Sequence, residues 1–427
     1  MAIVRSCLHS TLNPLLGTFR RSEKSDSSES SLLKRVADLD MALVHYEQNL
    51  DIPEVHLTFP PFLVEAGEKC RAAGRLLSAA ELGWGEKPSS DLLNSLLHLK
   101  GQWMRELRKL MEHTRDPNRG TTLQEINYWS VLRGSLEQVE ATLQSYEVQV
   151  LFAVVRQNNL VSGNSLEMEK SMRARLESVA GNVELLSGIP INALLTNTDL
   201  AATRAVIAPI FTQLKKLRNC PGYPIVRMVD LVNLINKDVL NQCVAILSAQ
   251  RLLDFPFAQF TQTVNEAYEV CKAWDDEKTS MWHFLRDLGT RRNEKYTLRF
   301  LDALDPLKKR LKVVEAFRRA HERYLEGLQQ IAAVHEQERE LVRELSSAYD
   351  RFRQFNASDL SKGAQQEWAA LTKAYDADIE QVDQDLVNSL RAQLEGSRST
   401  QQTFTLFGQY NTLFFRPCIQ GRCTRAS

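Results

Sequence analysis

The chain has 427 residues, with 53 Lys and Arg against 53 Asp and Glu, so its formal net charge is zero. That balance excludes a nucleic-acid binder that works through bulk positive charge. A hydrophobic content of 43% with 25% charged residues excludes a disordered chain.

Only 18 Gly and 13 Pro interrupt a sequence rich in Leu, Ala, Glu, Gln, Arg and Lys, whose unbranched side chains lose little rotamer freedom in a helix. In chain order, Cys7 to Arg20 reads as a short helix, and the polar tract Ser22–Ser31 as a flexible linker with nothing to bury. Leu32, Leu33, Val36, Leu39, Leu43 and Tyr46 share one helical face, which Pro53 ends. Phe59 to Leu77 is a helix entered through Pro60-Pro61. A loop around Gly83 and Pro88 precedes a long helix carrying Leu92, Leu96, Leu99, Trp103, Leu107 and Leu110. Thr122 stands three residues before Glu125, the spacing of a capping box, and opens a helix through Trp129, Leu136 and Leu143. Further helices are expected over 147–158, 165–187, 198–218, 224–255, 257–289, 291–304, 306–354, 363–395 and 397–415. No stretch sustains the alternation of a half-buried strand, and no fixed repeat period appears. The expected fold class is all-α: consecutive antiparallel helical bundles forming an elongated rod.

The sequence contains no GxxxxGK[ST] phosphate loop, no GxGxxG, no GxSxG and no complete HExxH. The seven cysteines are odd in number and widely spaced, and none forms a CxxC, so neither a disulfide framework nor a zinc site is expected. Catalytic, cofactor-binding and metal residues are all expected to be absent. No apolar run reaches the ~18 residues of a membrane span, so no membrane insertion is expected, and the cysteine usage points to the cytoplasm. The tryptophans read as bundle core, and the acidic run at Asp275 as a solvated patch. One charged feature reads as a docking surface: the basic run from Lys308 to Arg323, with Lys308, Lys312, Arg318, Arg319 and Arg323 as candidate partner-binding residues. Lys308, Lys312, Glu315, Arg319 and Arg323 fall near one stripe, opposite Leu307, Leu311, Val314 and Phe317.

Several ordered segments carry a family resemblance. They are Ala37–Leu57, Arg115–Trp129 with Leu132 and Leu136, Phe211–Asn219 with Tyr223-Pro-Ile225, Ala273–Glu277, Pro306–Leu311, Phe317–Glu322 and Tyr410–Pro417. In order and spacing this set resembles the tail region of the cytoplasmic dynein heavy chains, over nearly the whole chain. The resemblance implies a non-catalytic scaffold of helical bundles that holds dynein intermediate chain and light intermediate chain and meets dynactin and cargo adaptors in microtubule-based transport. It also implies a motor far downstream, dimerisation through segments missing here, and a departure from the family pattern after Ile419. The expected organisation is a short helix and linker over 1–31, tail bundles over 32–300, and a further, truncated bundle over 301–427. Two other readings stay open: an unrelated helical tethering protein, and a piece of an ATP-driven motor polypeptide whose ATPase part lies elsewhere.

Overall fold

The computed structural model describes residues 52, 53, 55, 57–116, 120–158, 164–220, 222–292 and 299–413. The expected helices over 7–20 and 32–46, the linker at 22–31 and the tail after Leu413 lie outside the described residues. Among the described residues there is no strand, and the chain is all-α as expected. They fall into two compact units, one drawn from Met1–Ile189 with Thr212–Leu234, the other from Pro190–Phe211 with Ile235–Ser427.

In the first unit, α1 (Pro61–Ala73) starts with proline at its first turn, where an N–H would have no helical partner anyway. It stops at Gly74, whose φ of 66° lies in the left-handed region. There the amides of Gly74 and Arg75 return to the carbonyls of Arg71 and Cys70, satisfying acceptors at the helix end. α2 (Ser90–Glu112) is capped by Ser89, which accepts from the Leu92 amide at 3.3 Å. α4 (Tyr146–Gln157) supplies Val148, Val150, Leu151, Val154 and Val155 to a core with Leu63, Cys70 and Leu96. The run of Val and Leu over 147–158 is thus a buried helix, in line with the helix expected there.

α3 (Thr122–Leu143) corrects one detail of the sequence reading. Its capping box is made one residue earlier: Thr121 Oγ1 accepts from the Gln124 amide at 3.3 Å, and Gln124 Oε1 accepts from the Thr121 amide at 3.0 Å. Thr122 is the first helical residue, and Glu125 turns inward to a different task. α5 (Asn164–Ser187) packs along α3. The stretch Lys170–Thr196 is long and apolar enough in composition to cross a membrane, which the absence of a long apolar run had not suggested. It is not one helix, because Pro190 separates α5 from α6 (Ile191–Thr196).

In the second unit, residues 200–211 of α7 (Leu200–Leu217) and 235–249 of α8 (Ile225–Ala249) accompany the long helix α9 (Phe257–Arg292). Trp274 of α9 is fully buried against Phe211, with ring centroids 5.0 Å apart. α8 ends earlier than expected, at Ala249, and Arg251, whose φ of 45° lies in the left-handed region, leads into a 3-10 turn at Leu252–Asp254. The helix expected over 291–304 does not form over 299–304; α9 instead runs on to Arg292.

The single helix expected over 306–354 is two: α10 (Asp305–Val334) and α11 (Arg339–Asp350). They are separated by extended His335 and a 3-10 turn at Glu336–Glu338. The fold-back lets α11 pack on α10 and on α12 (Lys362–Glu395), which starts at the Ser361 cap. Rings of Phe317, Tyr349, Phe352, Trp368 and Tyr375 interlock there, mostly edge to face. α13 (Thr400–Tyr410) closes the described chain. Its Tyr410 is buried and donates to Glu338 at 3.1 Å, whereas Phe404 is 74% exposed. The apolar side chains of this helix are therefore covered at its end and bare at Phe404.

Candidate protein-interaction face

The basic run of α10 is sorted by its neighbours into groups that face solvent and groups that do not. Leu307, Leu311 and Val314 are fully buried, and Phe317 joins the aromatic cluster, so this side of α10 faces inward as expected. One turn round the helix, Arg318 is also buried, its side chain only 9% exposed. Its guanidinium sits 4.4 Å from the Tyr349 ring centroid and 3.2 Å from Glu322 Oε2. The sequence placed Arg318 among the docking residues; the structure places it in the core. The reason is long-range, since the rings that cover it come from α9 and α11.

Lys308 is half-buried and engaged twice, with Nζ 2.9 Å from Asp275 Oδ2 and 2.7 Å from Asp305 Oδ1. Burial works against its charge, but the hydrogen bonds to Asp305 and Asp275 outweigh that and hold its pKa above the ordinary lysine value. The acidic run at Asp275 is in this way partly internal to the fold. Arg310 is likewise absorbed: it lies over the rings of Trp368 and Phe355 and donates to the Ala357 carbonyl at 3.2 Å. Burial lowers its pKa.

Lys309, Lys312, Arg319 and Arg323 remain exposed, together with Val313, Ala316 and Ala320. Their spacing of three and four puts them on one face. Val313 is 51% exposed, so the face has an apolar centre between cationic edges. Arg319 is held at 2.6 Å by Glu315, which also accepts from the Tyr268 hydroxyl at 3.2 Å. Burial, with Glu315 adding to it, pushes the Tyr268 phenol up to about 12. Of the five candidates the structure brings Lys312, Arg319 and Arg323 to one accessible face and leaves Lys308 and Arg318 off it. Lys309 and Val313 belong to that face and were missed. The signal was the i, i+3, i+4 spacing counted from Lys309 instead of Lys308.

Comparison with known proteins gives this face its context. The family described as dynein heavy chain, N-terminal region 1, matches residues 93–426. The cytoplasmic dynein heavy chain of Drosophila melanogaster is 28% identical over 426 residues, covering 94% of this chain. That of Caenorhabditis elegans is 26% identical over 434 residues, covering 96%. That of Dictyostelium discoideum is 27% identical over 413 residues, covering 91%. The chain spans 9% of the length of each of these relatives.

Proposed function

Because the chain belongs to the dynein heavy chain family, in its N-terminal region 1, we propose that it works as a non-catalytic scaffold segment that holds other subunits of a cytoplasmic dynein complex. The match over residues 93–426 carries this reading. On it, the partners are dynein intermediate chain and light intermediate chain, with dynactin and cargo adaptors beyond them, and the setting is the cytoplasm along microtubules. The exposed face of α10 supplies a physical means: Lys309, Lys312, Arg319 and Arg323 attract an acidic surface, while Val313 and Ala316 give it something apolar to cover. Exposed charges of this kind mainly speed association and are screened by salt.

The test is capture of dynein intermediate chain by the immobilised chain at low and high salt. Capture should weaken as salt rises, and Arg319→Glu with Arg323→Glu should reduce it several-fold at low salt with helicity unchanged. If the double variant captures as the parent does, this face is only solvated surface. If neither captures any subunit, the scaffold reading fails.

A further inference from the structure

The second unit also carries an open groove of about 970 Å³ on a surface that the reading above does not use. One wall is the start of α7, the other the middle of α9. Ala201, Ala205 and Ala208 line the first wall at spacings of four and three, and all three are exposed. Small side chains at that spacing let a third helix approach closely, backbone to backbone. The α9 wall runs from Gln262 to Glu277, about 22 Å, or roughly four helical turns.

The rim has a sign. Among the lining residues Glu266, Glu269 and Asp276 carry negative charge, and the cation beside them, Arg204, lies 3.3 Å from Glu269. A separate feature adds to this demand for donors. Pro209 lies inside α7 and has no N–H, so the carbonyl of Ala205, four residues earlier and on the groove, lacks its helical donor. Carboxylates and an under-used carbonyl both accept hydrogen bonds, and neither welcomes an acidic visitor.

We propose that this groove receives a basic amphipathic helix of a partner protein, about four turns long, with its apolar stripe on Ala201, Ala205 and Ala208. Lysines or arginines flanking the stripe meet Glu266 and Asp276 and reach the Ala205 carbonyl. The inference stands apart from the α10 face, whose charge is opposite and whose partner is acidic.

The test uses the full chain and two labelled 18-residue amphipathic peptides of the same apolar pattern, one Leu/Lys and one Leu/Glu, in fluorescence anisotropy at low salt. The Leu/Lys peptide should bind saturably and the Leu/Glu peptide should not. Ala205→Trp fills the groove from an exposed helix position and should weaken Leu/Lys binding at least tenfold. Glu266→Lys with Asp276→Lys should weaken it comparably and admit the Leu/Glu peptide. Equal binding of the two peptides, or binding indifferent to both variants in chains of unchanged helicity, overturns the proposal. So does self-association of the parent that Ala205→Trp abolishes while no peptide binds, because the occupant would then be a second copy of this chain. The intermediate-chain capture assay is unaffected by any of these outcomes, which keeps the two readings separable.

Discussion

Arg227 grips Glu125 across 102 residues of chain, with Nε 2.5 Å from Oε1 and Nη2 2.9 Å from Oε2. Both lie inside the first unit, and the Glu125 side chain has no exposure at all. Trp129 Nε1 and the Tyr223 hydroxyl add donors to Glu125 at 2.9 and 3.0 Å, while the guanidinium lies 4.5 Å from the centroid of the Tyr128 ring. Burial and the Glu125 charge together hold the Tyr223 phenol well above its ordinary pKa. A buried pair stabilises when its remaining bonds are satisfied, and it is costly to break on one side only. Glu125→Ala should therefore destabilise by about 3–5 kcal/mol in urea unfolding, because Arg227 is left charged and buried. Glu125→Leu with Arg227→Met should cost clearly less than the single change. If the single and double variants unfold alike, the pair contributes by packing alone.

The cap of α3 makes a smaller prediction. Thr121→Ala removes one half of the box and should cost about 1 kcal/mol. A urea midpoint unchanged by Thr121→Ala would show that the neighbouring structure already satisfies those amides.

His321 sets a pH dependence. It is buried, stacks on Tyr349 with centroids 4.3 Å apart, and its Nδ1 lies 2.9 Å from the Tyr375 hydroxyl. Burial, then the nearby Arg318 charge, lowers its pKa from 6.5 to about 3. The unfolded chain thus binds a proton that the folded chain refuses over that interval. Stability is fully present above about pH 6.5 and is lost as pH falls toward 3, at up to about 1.4 kcal/mol per pH unit from this residue. Unfolding at pH 7.5 and 5.0 should show the loss, and His321→Phe should flatten it while lowering the baseline. A slope that survives His321→Phe would move its origin to other groups.

Phe404 offers a contrast between burial and exposure on one helix. Phe404→Ser should change stability by less than about 0.5 kcal/mol, since the ring is already in water. Tyr410→Phe should cost more, because Glu338 would lose a donor while staying buried. Light scattering of the Phe404→Ser chain should also show less self-association at high concentration.

Helix positions were legible wherever a local breaker or cap agreed with the apolar spacing, as at Pro61, Ser89 and Ser361. The break at His335 was not, because Leu328, Ile331, Leu341 and Leu345 keep helical intervals with no Gly or Pro between them. What bends the chain there is the gain from folding α11 back onto α10, a long-range term. The interaction face was half legible for the same reason. Spacing along α10 groups cations correctly, but only Tyr349 and Phe257, brought from elsewhere, decide that Arg318 is core and Arg319 is not.

Gln124 and Glu125 are neighbours of nearly equal size and bonding capacity, yet their duties do not overlap. Exchanging them, Gln124→Glu with Glu125→Gln, would keep composition, net charge and the capping chemistry intact. It would also move a negative charge from the buried position facing Arg227 to the cap beside Arg115, about 100° round the helix. The fold therefore stores in the order of two letters a distinction that no count of residues and no local pattern can register.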